Sequence, residues 1–110
     1  MSGKFVISKR GNGEFQFNLK AGNGQIILSS EGYAAKAGAL NGVESVRKNS
    51  QDDGRFERKT ASSGKPFFNL IATNGQVIGS SQMYVDEAGR DNGIASVKAN
   101  APAAELVDET

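Results

Sequence analysis

One stretch of this chain is written twice. When the segment beginning at Phe5 is placed beneath the segment beginning at Phe56, the two run in register without a gap. Roughly 20 of about 46 aligned positions are identical at a spacing of about 51 residues. Phe-Asn-Leu-x-Ala occurs at Phe17–Ala21 and Phe68–Ala72, and Asn-Gly-Gln at Asn23–Gln25 and Asn74–Gln76. Ser-Ser-x-x-Tyr occurs at Ser29–Tyr33 and Ser80–Tyr84, and Ala-Gly-x-x-Asn-Gly opens the matching stretches Ala37–Asn49 and Ala88–Asn100. A chain of 110 residues buries roughly 65% of its unfolded surface, enough for one modest core but not for two. The two copies must therefore share a core.

Each copy reads as strands followed by a helix. Lys4–Lys9 is a first strand, and Asn12-Gly13 supplies a tight hairpin turn. Phe15, Phe17 and Leu19 alternate with Gln16, Asn18 and Lys20, the pattern of a half-buried strand with one polar face. Asn23-Gly24 marks a second turn and Gln25–Ser29 a third strand. From about Ala35 to Lys48 the period changes: Ala37, Leu40, Val43 and Val46 fall on one helical stripe, and Ala88, Ile94 and Val97 repeat most of it. Asp86 can cap the second helix by accepting its free amides, whereas the matching Ala35 cannot cap the first. Both helices carry two glycines, Gly38 and Gly42, then Gly89 and Gly93. Each costs about 1 kcal/mol against alanine in a helix interior. Close approach of the helix to a sheet is the expected compensation; the sharper alternative is a helix that breaks or binds something at Asn-Gly.

The segment Lys4–Ile7 recurs a second time one period on, at Arg55–Arg58, and a third time at Leu106–Glu109. The middle strand then follows the first helix and also opens the second copy, which frees the C-terminal strand to return beside the N-terminal one. The expected fold is α+β. Tandem β-β-β-α-β repeats, at residues 1–54 and 55–110, share one antiparallel sheet with two helices on one face and the C-terminal strand exchanged between repeats.

The doubled pattern Phe-Asn-Leu-x-Ala-x-Asn-Gly-Gln-x-Ile, Ser-Ser-x-x-Tyr and Asn-Gly-[Val/Ile]-x-Ser-Val-[Arg/Lys]-x-Asn resembles the YegP-like family of small uncharacterised bacterial proteins, over essentially the whole chain. The resemblance implies the same strand-sharing architecture. It implies no activity, substrate, cofactor or catalytic residue.

Composition narrows the chemistry further. The chain has no Cys and no His, so thiolate and imidazole metal sites, Cys-His and Ser-His nucleophiles and disulfides are all excluded. Thirteen basic and twelve acidic side chains leave a formal charge of +1, too little for a general field toward nucleic acid or anionic lipid. The longest apolar runs, such as Ile26–Leu28, fall far short of the roughly 20 residues of a membrane span. The N-terminal residues hold no apolar stretch of signal-peptide length. The expected setting is the cytoplasm, with no membrane partner and no cofactor.

Short motifs yield to structural explanations. Gly11-Asn12-Gly13 and Gly22-Asn23-Gly24 lie between strands and lack the continuation of a dinucleotide loop, and Gly64-Lys65-Pro66 lacks the spacing of a P-loop. Ser29-Ser30 and Ser80-Ser81 have no base beside them and read as strand-end hydroxyls that satisfy backbone groups. Tyr33 and Tyr84 read as anchors of the strand-to-helix corner. Asp52-Asp53-Gly54 lacks the spacing of a calcium loop and reads as a solvated linker, and Asp86, Glu87 and Asp91 as a solvated helix start.

The copies disagree on the sheet face away from the helices. There Glu14, Gln16, Asn18 and Lys20 of the first copy are replaced by Lys65, Phe67, Asn69 and Ile71. Phe67 and Ile71 fall where alternation expects solvent, so the candidate interaction face comprises Phe67, Asn69, Ile71, Asn18 and Lys65. Two apolar residues at a surface can equally be trivial. The leading expectation is a non-enzymatic interaction module with a protein partner or a second copy. The alternative is a weak, sequence-tolerant nucleic-acid binder using Arg55, Arg58, Lys59 and Lys65, although a single aromatic is little for a stacking platform.

Overall fold

Four hairpin turns of one design organise the chain, which a computed structural model describes over residues 3–110. At the first, Arg10 N–H donates to the Glu14 carbonyl and Gly13 N–H to the Arg10 carbonyl (2.6 and 3.0 Å), with Gly13 at φ 88°. The same bonds recur from Ala21 to Gln25, Ala61 to Lys65 and Ala72 to Gln76. These are three-residue loops that end in a left-handed glycine. The two-residue Asn-Gly turn expected from sequence is not formed, because it needs positive φ at the asparagine too and no non-glycine residue has one among the described residues. Asn12, Asn23 and Asn74 instead accept, through Oδ1, the N–H two residues on.

The described residues form seven strands and two helices. The strands are β1 (Lys4–Lys9), β2 (Phe15–Lys20), β3 (Ile26–Ser29), β4 (Phe56–Thr60), β5 (Pro66–Ile71), β6 (Val77–Ser80) and β7 (Glu105–Asp108). The helices are α1 (Lys36–Asn49) and α2 (Glu87–Asn100). One sheet runs in the order β4-β5-β6-β3-β2-β1-β7. The two copies meet where β3 lies antiparallel to β6, at the equivalent residues Ser29 and Ser80. The expectation of an antiparallel sheet is corrected at one edge: β7 runs parallel to β1, from Lys4 opposite Glu105 to Ile7 opposite Asp108, so the sheet is mixed. β1 and β7 are joined by no tight hairpin, which would force an antiparallel pair; almost the whole chain separates them, and this permits the parallel one. At the opposite edge β4 pairs with β5 alone. It begins at Phe56, one residue later than expected, because Asp53–Arg55 forms a 3₁₀ turn capped by the Asp52 carboxylate on Gly54 N–H.

Both helices cover the same face of the sheet and close one core. Its largest parts are two matching aromatic triads. Phe5 meets Phe17 edge-on (5.9 Å, 69°) and Phe17 stacks on Tyr33 (6.3 Å, 16°). Phe56, Phe68 and Tyr84 repeat this at 5.7 Å and 65°, then 6.3 Å and 11°. A helix cation lies over each outer ring, Arg47 over Phe5 and Lys98 over Phe56. Phe5, Phe17, Leu19, Leu28, Phe68 and Leu70 are fully buried, and each contributes on the order of 1.5–3 kcal/mol through removal from water.

The helix glycines are explained by the tyrosines. Tyr33 lies against Gly38 and Gly42, and Tyr84 against Gly89 and Gly93. A Cβ at Gly93 would run into the Tyr84 hydroxyl and come within 3.2 Å of Phe68 Cε2, whereas one at Gly89 would find only the movable Asp86 Oδ1 at 3.3 Å and Tyr84 Cδ1 at 3.5 Å. The expected cause, close helix-to-sheet approach, is therefore met through a ring wedged between helix and strand. α2 starts as expected, with Asp86 Oδ1 accepting from Gly89 N–H at 2.8 Å, and α1 starts at Ala35 without a side-chain cap.

The copies also differ at the seam. Position 28 is Leu and its equivalent, position 79, is Gly; a Cβ at Gly79 would lie 2.7 Å from both Cγ and Cδ2 of Leu28. One leucine fills the space that symmetry would assign to two.

Two stability predictions follow from this packing. Gly93→Ala lowers stability by about 1–3 kcal/mol through overpacking despite the gain in helix propensity, while Gly89→Ala does not, as thermal melts of the two variants will compare. Gly79→Leu and Leu28→Gly each destabilise, the first by crowding and the second by a cavity worth about 2–5 kcal/mol; the double exchange is more stable than either single variant in urea unfolding.

Candidate functional site

The sheet face opposite the helices is built by the polar half of each alternation. Strand pairing draws one row across it: Glu57, Asn69, Ser80, Ser29, Asn18, Val6 and Val107. The row is nearly symmetric about the seam, with Asn18 and Asn69 flanking the two serines. Ser80 Oγ donates to Asn69 Oδ1 at 2.7 Å. From Asn69 to Val107 the row carries no charge.

Phe67 and Ile71 stand on either side of Asn69 along β5, each about 7 Å from it by the strand rise. Both are half-buried rather than fully exposed, as is Asn69. Phe67 pairs with Lys59 and Ile71 with Val77. Asn18 lies three strands away in the same row, and Lys65 sits exposed at the end of the preceding turn, where its carbonyl accepts from Ala61 N–H at 2.8 Å. The five residues thus share one face: Phe67, Asn69, Ile71 and Lys65 are contiguous, and Asn18 is set apart across the seam.

Two further apolar residues of the open face were not expected from sequence, Val77 beside Ile71 and Ile26 beside Lys20. Strands β2–β3 and β5–β6 each shift register near their shared end, between Leu19 and Lys20 and between Leu70 and Ile71. The irregularity turns Ile27 with Leu28, and Ile78 with Gly79, toward the helices and leaves Ile26 (44% exposed) and Val77 (40% exposed) on the open face. Alternation alone cannot show this, because an apolar triplet such as Ile26–Leu28 fits either register.

The basic rim is weaker than sequence suggests. Arg58 pairs with Phe68, so it shares the helix side of the sheet, where Asp53 (3.6 Å) and Asp91 (3.3 Å) meet it. Arg55 meets Asp52 at 3.5 Å. Lys59 and Lys65 remain on the open side. The linker carboxylates are also more than solvated: Asp53 binds Lys98 at 2.6 Å, and that hydrogen bond, helped by the Lys98 and Arg58 charges, lowers its pKa. Asp108 is lowered as well, first by its bond from Lys36 and then by those from Thr110.

The serines and tyrosines do structural work. Ser30 Oγ accepts from Phe17 N–H (2.9 Å) and donates to the Glu31 carbonyl (2.8 Å), and Ser81 repeats this with Phe68 and Gln82. Tyr33 and Phe15 exchange two backbone bonds of 2.7 Å; with Pro66 in place of Phe15, only the bond from Tyr84 N–H survives. Burial raises the phenol pKa of both tyrosines; Glu31 adds to it at Tyr33, and a hydrogen bond with Gln82 opposes it at Tyr84. No group of three or more acidic side chains poised to hold a metal ion occurs among the described residues, and no helix there is long and apolar enough to cross a membrane.

This architecture has close counterparts. The family profile described as a domain of unknown function (DUF1508) matches twice, over residues 11–57 and 61–108. A UPF0339 protein in the ptx operon 5′ region of Stutzerimonas stutzeri is 58% identical over 108 residues, covering 98% of this chain and 97% of the relative. The UPF0339 protein YegP of Escherichia coli O157:H7 is 54% identical over 110 residues, covering 100% of both chains. The solution NMR structure of yegP from E. coli matches with a TM-score of 0.95 and 53% identity, covering 100% of this chain and 95% of that one. The NMR structure of a UPF0339 protein from Shewanella oneidensis matches with a TM-score of 0.92 and 51% identity, over 98% and 92%. With a profile that matches once in each repeat and relatives more than half identical along their length, the chain belongs to the DUF1508 family of UPF0339, YegP-like proteins.

Proposed function

We propose that this protein is a non-enzymatic interaction module of the cytoplasm that engages a partner protein through the open face of its sheet, centred on Phe67, Asn69 and Ile71. The observation that carries this reading is the charge-free row from Asn69 to Val107, bordered by Phe67, Ile71, Val77 and Ile26. Charged side chains are kept to the margins of the face: Lys4, Lys20 and Glu105 at one end, Glu57 and Lys59 at the other. Interface centres have this composition, poor in charge and anchored by an aromatic, with a polar rim. The lack of cysteine suits a reducing compartment. The place of β7 beside β1 supports reading it as a strand that the second repeat lends to the first, which ties the copies into one rigid platform beneath the face.

The nucleic-acid alternative loses two of its four cations to ion pairs with Asp52, Asp53 and Asp91. Of the repeated serines, Ser30 and Ser81 are engaged with backbone groups and Ser80 with the Asn69 side chain, so none of these three is paired with a base.

The test is affinity capture from cell extract with wild type and with Phe67→Ser/Ile71→Ser, the protein and nucleic-acid fractions being analysed separately. Both substitutions fall at half-buried positions away from the core, so the variant keeps its fold by circular dichroism. It is expected to lose proteins that wild type retains, by at least tenfold. Equal recovery of the same proteins, or retention of nucleic acid alone, would overturn the proposal.

A further inference from the structure

The duplication allows exposed positions to be compared within one molecule. Many surface positions have diverged: Gln16 and Phe67, Lys20 and Ile71, Glu44 and Ala95, Lys48 and Ala99 are equivalent pairs. Away from the asparagine–serine row of the open face, one surface region has not. A crevice of about 200 Å³ lies between the β2–β3 turn of the first repeat and α2 of the second, with Asn23, Gln25, Ile27, Tyr84, Asn92 and Ser96 in its wall. Nine of its ten lining residues are identical at the equivalent positions 51 residues away; the exception is Gln82, matched by Glu31. Fewer than half of all aligned positions are identical, so identity is concentrated here.

Packing accounts for part of this. Ile27 belongs to the core, the helix glycines accommodate Tyr84, and Asn23 Oδ1 holds the turn through Gln25 N–H at 3.0 Å. Ser96 receives the Asn100 amide at 3.2 Å. Gln25 and Asn92 are different. Both are exposed, neither side-chain amide has a hydrogen-bond partner among the described residues, and both types recur, as Gln76 and Asn41. Nothing in the fold requires an amide at these positions rather than any polar side chain.

We propose that this crevice is a binding site for an uncharged peptide segment, held through its amide groups. The lining contains no charged residue, so it offers no counter-charge to an ion. Gln25 and Asn92 each present a planar donor–acceptor pair, the complement of another carboxamide. The Tyr84 ring is covered by Phe68 on one face and by α2 on the other, which leaves its hydroxyl edge and no free aromatic face for a base to stack on. The volume is below the 300–1,000 Å³ of typical small-molecule pockets and suits a single peptide unit. The site is separate from the open sheet face, and its binding does not depend on Phe67 or Ile71.

The test is an NMR titration of the full chain with the blocked tripeptide acetyl-Ala-Asn-Ala-amide, against acetyl-Ala-Asp-Ala-amide. The side-chain amide signals of Gln25 and Asn92 are expected to shift saturably at millimolar concentration with the neutral peptide. The acidic peptide is expected to bind about tenfold more weakly. Gln25→Glu/Asn92→Asp, near-isosteric at exposed positions, should weaken binding about tenfold. Absence of saturable shifts at the crevice, equal binding of the two peptides, or undiminished binding by the double variant would each overturn the proposal.

Discussion

Everything in this fold hangs on a narrow seam. The two repeats join their sheets at β3 and β6 through one pair of equivalent serines, Ser29 and Ser80. A seam that short cannot hold two half-sheets together by backbone hydrogen bonds alone. The core does it instead, because each helix reaches across: α1 touches β5 and β6 of the other repeat, and α2 touches β3. Neither triad of aromatics is sealed until the partner repeat is in place. Such an arrangement explains how units of about 50 residues, each too small for a core of its own, yield a fully buried set of side chains.

The duplication divides the residues by duty. Positions identical in both copies are mostly those with a geometric obligation: turn asparagines, strand-end serines that hold backbone amides, tyrosines and the glycines that receive them. The open face lies largely outside these obligations, and it is there that the copies drift apart, from Gln16 to Phe67 and from Lys20 to Ile71. Gln25 and Asn92 are among the exceptions, exposed positions that recur without a visible structural duty.

Much of this was legible in the sequence because it depends on local period. β1 and β2 fall where alternation placed them, and both helices begin within a residue of expectation. What was not legible depends on groups distant in sequence. Periodicity carries no information about strand direction, so the parallel approach of β7 to β1 was hidden. The register shifts that expose Ile26 and Val77 arise from where a turn closes, and the apolar triplets around them fit two registers equally well. Arg58 stands in sequence among the four cations of the nucleic-acid alternative, but its register opposite Phe68 turns it to the helix side, where Asp91 meets it. The composition of the candidate face was visible; the half-burial of Phe67 and Ile71 was not, since it depends on Lys59 and Val77 beside them.

The pairing of Leu28 with Gly79 has a historical consequence. A chain of two identical halves must put the same residue at both positions, either two leucines that collide or two glycines that leave a void. Covalent linkage lets the halves differ, and this protein has used that freedom at the point where the copies meet. Once one half supplies the filler and the other the space, neither can pair well with a duplicate of itself. At this contact the two halves are complementary parts rather than interchangeable copies.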